Sequence, residues 1–98
     1  MAAPSLVFVY GGPPLRVLGE LGEADALVLA NGLGASPTAL KLANTVAAAL
    51  DEATRVGWGR VVLETDDLEA LHDLLLSTAA RDSRFEALCF EVAKALEA

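Results

Sequence analysis

The stretch from Ser36 to Asp67, SPTALKLANTVAAALDEATRVGWGRVVLETDD, admits very few folds. Ser36 can accept the free N–H groups of a first helical turn, and Pro37 brings a preset φ to the position where a missing N–H costs nothing. Ala39, Ala43, Val46, Ala47, Leu50 and Ala53 then recur at helical spacing, while Lys41, Thr45, Glu52 and Arg55 turn away. Gly57 supplies the stop. A face of such small residues can lie close against a sheet. After Gly59 the run Val61-Val62-Leu63 is apolar without interruption, which predicts a central strand covered on both sides. Glu64, Asp66 and Asp67 follow at the C-terminal end of that strand, where α/β proteins commonly hold their chemistry.

The 98 residues read as a single domain, 1–98, long enough for a hydrophobic core. Although 54% of the residues are apolar, no run approaches the ~18 uninterrupted apolar residues of a membrane span. Met1 to Ser5 lacks the basic start and long apolar stretch of a secretory signal, so the cytoplasm is the expected location. A net charge of −7 with seven scattered basic residues repels phosphate backbones and argues against nucleic-acid binding. Cys89 is the one cysteine, and with a single His and no CxxC pair there is no zinc pattern. No cofactor is implied.

Upstream, Ser5 to Tyr10 is a β-favouring run that Gly11-Gly12-Pro13-Pro14 must end. Leu15 to Leu21 alternates as a second strand, and Ala26 to Ala30, ALVLA, reads as a third. Short turns between them predict an antiparallel meander. Downstream, Asp66 with Glu69 forms a capping-box pattern before the core stripe Leu68, Leu71, Leu75, and Ser83 with Glu86 repeats it before Phe85, Leu88, Cys89, Val92 and Leu96. The expected architecture is an α/β domain: a three-stranded antiparallel meander plus one parallel strand, order 3-2-1-4, with strand 4 parallel to strand 1 and helices packed on the sheet.

The order strand, strand, strand, helix, strand, helix resembles most of the ribonuclease H-like fold. Asn44 to Leu50 is similar to the Ala-rich helix that a metal-binding carboxylate opens in that family. Glu64-Thr65-Asp66-Asp67 looks like its strand end with a "TD" step, and Val9-Tyr10-Gly11-Gly12 falls where the family carries an Asp-Gly step. The resemblance implies Asp66 as a divalent-metal ligand. Family catalysis uses about two cations held by several carboxylates. Here Tyr10 and Asn44 are neutral at two ligand positions, and the fifth strand with the last carboxylate is missing. The resemblance therefore implies a degenerate, truncated member.

Other motifs have bland counterparts. Gly32-Leu33-Gly34 before a helix mimics a dinucleotide fingerprint, but Pro37 stands where the third glycine would fall, and a flexible loop explains it as well. Asp66 and Asp67 serve equally as helix caps. His72 lacks a neighbouring nucleophile, Cys89 falls on an apolar stripe, and Trp58 can cover the end of a core. The reading is thus a non-catalytic ribonuclease H-like domain acting through protein–protein contacts. The alternative is a residual metal-dependent nuclease or nucleotide-binding fragment completed by a partner chain. Without a fifth strand, the strand bearing Val61 and Leu63 has an open edge, and Phe90 points off its helical stripe. These three residues are the candidate interface of a homodimer, with an unidentified protein partner as a further expectation.

Overall fold

A computed structural model describes residues 4–11, 15–33 and 36–97. Strands β1 (Ser5–Tyr10) and β2 (Arg16–Gly22) lead into helices α1 (Glu23–Asn31) and α2 (Pro37–Val56). Strand β3 (Trp58–Leu63), helix α3 (Thr65–Ala79), a short 3₁₀ turn at Ser83–Phe85 and helix α4 (Glu86–Glu97) complete the chain. The fold is α/β, with a three-stranded mixed sheet in the order β2-β1-β3. β1 pairs antiparallel with β2 and parallel with β3, so Ser5 stands opposite Trp58 and Tyr10 opposite Leu63. Gly12, Pro13 and Pro14 of the expected turn, and Gly34 and Ala35 of the glycine loop, lie outside the described residues.

The expected meander is not formed, because Ala26 to Ala30 lies within α1 rather than in a strand. Ala26 and Leu29, three apart, are the buried pair of this helix, and Glu23 and Asp25 stand in its first turn, where carboxylates favour the positive end of the helix dipole. A five-residue apolar run is too short for its period to separate strand from helix. The remaining order is as expected, with β3 beside and parallel to β1.

In α2 the Ser36 Oγ accepts the Ala39 N–H at 3.2 Å, Pro37 occupies the first turn, and Gly57 ends the helix at φ 95°. The side it buries is Ala39, Leu42, Val46, Ala49 and Ala53. Ala43 and Leu50 are only half-buried and Ala47 is exposed, so the contact face is rotated from the expected one toward Leu42 and Ala49. The α3 cap also differs. Glu64 rather than Asp66 precedes the helix, and Asp67 Oδ2 accepts the Glu64 N–H at 3.0 Å. Asp82, not Ser83, caps the 3₁₀ turn, taking the Arg84 N–H at 3.0 Å.

One core joins sheet and helices. Leu6 and Phe8 of β1, Leu18 and Leu21 of β2, and Val61 and Leu63 of β3 pack with Leu42, Val46, Leu68, Leu71, Leu75, Phe85, Leu88 and Val92. Burying such a side chain contributes about 1.5–3 kcal/mol. The opposite face of the sheet carries Val7, Val9, Val17, Glu20, Trp58, Arg60 and Val62; Val9 alone among them is buried, and none joins that cluster. No described helix packs on it. β3 is therefore not a strand covered on both sides: its burial alternates strictly, with Gly59, Val61 and Leu63 inside and Trp58, Arg60 and Val62 outside.

Candidate functional site: the edge of β3

The tight turn at Gly57 sends the chain from α2 directly into β3, which fixes the two elements side by side. Gly59 makes the approach close. A Cβ at this position would overlap the Ala49 carbonyl oxygen, so only glycine lets the α2 backbone rest on the strand. The outer flank of α2 and the outer side of β3 together form a groove of about 1110 Å³. Leu40, Ala48 and Val56 line it from the helix, and Trp58, Arg60 and Val62 from the strand. Trp58 is 53% exposed and Val62 47%.

The polar residues along this groove are mostly engaged. Lys41 donates to Glu64 Oε2 at 3.0 Å, and Arg55 pairs with Glu52. The Glu64 hydrogen bond, followed by the charges of Asp67, Glu64 and Asp66, holds the Lys41 ammonium above its ordinary value of 10.5, with desolvation opposing. Arg60 has no ion-pair partner among the described residues.

At the C-terminal ends of β1 and β3 the Tyr10 hydroxyl lies 3.3 Å from Thr65 Oγ1. Asp66 is exposed in the first turn of α3, whereas Asp67 is buried and completes the capping box by accepting the Glu64 N–H. One carboxylate oxygen, Asp67 Oδ1, has no hydrogen-bond partner. Among the described residues no three His, Cys, Asp or Glu side chains converge as a metal-binding group. Asn44 is an exposed groove residue, and His72 and Cys89 are half-buried on α3 and α4.

The expected interface residues separate. Val61 and Leu63 are 0% and 2% exposed and belong to the core, because the inward phase of β3 falls on the odd positions. Their side chains offer nothing to a partner. Phe90 is exposed, as expected, but α4 packs on β2 and α3 rather than on β3, so Phe90 and the β3 edge do not form one patch. The residues that do flank the edge, Trp58, Arg60 and Val62, were legible in the alternation W-x-R-x-V, where a charged Arg60 marks the outward phase. The succession Val61-Val62-Leu63 hid that phase. Searches against protein-family models, curated proteins and solved structures found no match for the chain.

Proposed function

We propose that the chain is a non-catalytic, ribonuclease H-like domain that acts through protein contacts, with the edge of β3 as its contact surface. The observation that carries this reading is the strand itself: β3 ends the sheet, no described group bonds to its outer side, and exposed Trp58 and Val62 flank it beside Leu40 and Val56. Such an edge pairs readily with another chain. The ribonuclease H-like part is supported by the antiparallel pair, the helix, and the strand returning parallel to β1. Asp66 is exposed and, among the described residues, no metal-binding group of acids converges on it, which supports the non-catalytic part, since hard divalent cations take several oxygen ligands.

The test places a photo-cross-linking amino acid at Val62, with Glu69 on exposed α3 as the control position. Discrete protein adducts from position 62 and none from 69 are expected in the native cells, together with no cleavage of an RNA·DNA hybrid in Mg²⁺. Mg²⁺-dependent cleavage that Asp66→Asn abolishes would replace this reading with the nuclease one.

A homodimer rests on a separate observation, Phe90, which α4 exposes to 63% with the Lys94 ammonium 5.3 Å from its ring centroid. Light scattering at micromolar concentration is expected to give a dimer mass that falls to the monomer in Phe90→Glu. A monomeric parent sets the dimer aside and leaves the β3 reading untouched.

A further inference from the structure

We propose that the groove between β3 and α2 binds an extended segment of another protein as an added strand, whose outward side chains run apolar, acidic, apolar. The inference rests on β3 being a protein contact surface and names what fits there. Alternate residues along Trp58–Leu63 turn both N–H and C=O away from β1, and no described group pairs with them. An added strand satisfies these groups about 4.8 Å further out.

The position of α2 selects a bare strand over a second copy of this chain. With the Ala49 carbonyl oxygen resting on Gly59, α2 stands directly over β3. Two copies paired edge to edge about a two-fold axis would each bring a helix over its own strand. Those helix axes would then be separated by roughly one strand spacing, ~4.8 Å, although packed helices need ~8–10 Å. A segment without its own covering helix meets no such obstacle, and α2 roofs it.

The lining then specifies the segment. Side chains turned inward meet Leu40, Asn44, Thr45 and Ala48 under α2, a lining that is mostly apolar and suits small apolar residues or threonine. Side chains turned outward lie along Trp58, Arg60 and Val62. The two flanking positions are apolar, and between them Arg60 projects a charge that no described acid neutralises, while Glu52 is held by Arg55 and Glu64 by Lys41. An acidic side chain opposite Arg60 completes the row, since opposite charges across a strand pair favour pairing and like charges oppose it.

Trp58 is the only tryptophan, so its emission reports occupancy of the groove. The probe is a short valine-rich peptide with threonine ends and one central glutamate. Two controls accompany it, one with lysine at the centre and one N-methylated along a single backbone edge. Saturable binding with a blue shift of Trp58 emission is expected for the glutamate peptide, with both controls about tenfold weaker or worse. Arg60→Glu, an exposed substitution whose fold circular dichroism verifies, should reverse the preference toward lysine. Equal binding of all three peptides, indifference to N-methylation, or no saturable binding up to millimolar peptide overturns the proposal. So does a dimer in light scattering that Val62→Arg dissociates, which would make the occupant a second copy. In each case adducts from position 62 still report whether the edge contacts protein at all, so the two readings fail separately.

Discussion

Gly59 has no room for a side chain, and this single absence sets the distance between α2 and β3. Gly59→Ala must push the Ala49 carbonyl aside; overpacking of this kind costs about 1–3 kcal/mol, to be read in chemical denaturation. An unchanged midpoint would show that α2 does not rest on the strand. A second local feature depends on pH. Hydrogen bonds from the Arg84 side chain and backbone hold the Asp82 carboxyl below its ordinary 3.8, and Arg84 also reaches Asp25 of α1 at 2.7 Å. Because the folded value is depressed, the stabilisation is present above the ordinary carboxylate range and is lost as pH falls through the folded value. The melting temperatures of the parent and Asp82→Asn should therefore differ near neutrality and converge in acid. A gap that persists in strong acid would assign the effect to something other than the charge. Ser36, Pro37 and Gly57 were legible because each acts on its own backbone. Asp67 was legible only as one of two equivalent caps and Glu64 as the N-cap was not, since Asp66 to Glu69 and Glu64 to Asp67 offer overlapping cap patterns, and burial of Asp67 against the fold decides between them.

Helix and strand identities were legible where the period had length to express itself. The twenty residues of α2 declare a helix, whereas ALVLA suits either element, and only tertiary burial of Ala26 and Leu29 makes it α1. In β3 the strand is legible in the sequence but its two faces are not distinguished, because Val61-Val62-Leu63 is apolar at both phases. The difference is measurable. Val61→Asp puts an unpaired charge in the core, costing several kcal/mol against ~5–15 kcal/mol in total, and should prevent folding. Val62→Asp, on the outward phase, should fold and melt cooperatively within about 1 kcal/mol of the parent. Equal damage from both would restore a strand buried on two sides. At the start of α2, Ser36→Ala should cost about 1 kcal/mol through loss of the Ala39 N–H acceptor.

Across the molecule, the helices and the main core cluster lie to one side of the sheet, and no described helix covers the other. Amide exchange reads the edge of the sheet: the outward N–H groups of β3, which no described group bonds, should exchange quickly, while β1, paired on both sides, stays protected. Uniform protection across both strands would mean that the edge is covered in solution. Net charge and the lack of a long apolar run were legible from composition alone, but which strand ends the sheet depends on contacts between distant residues. The parallel pairing of β1 with β3 has its own kinetic meaning. Ser5 meets Trp58 only after the chain between residues 5 and 58 has closed, whereas α2 and β3 are joined by one glycine and the β1–β2 ladder by a short connection. Loop closure over such a span slows folding. Two local pieces should thus form early, the hairpin and the α2–β3 unit, and their docking should limit the rate, so that core substitutions at the β1–β3 seam slow folding more than they speed unfolding.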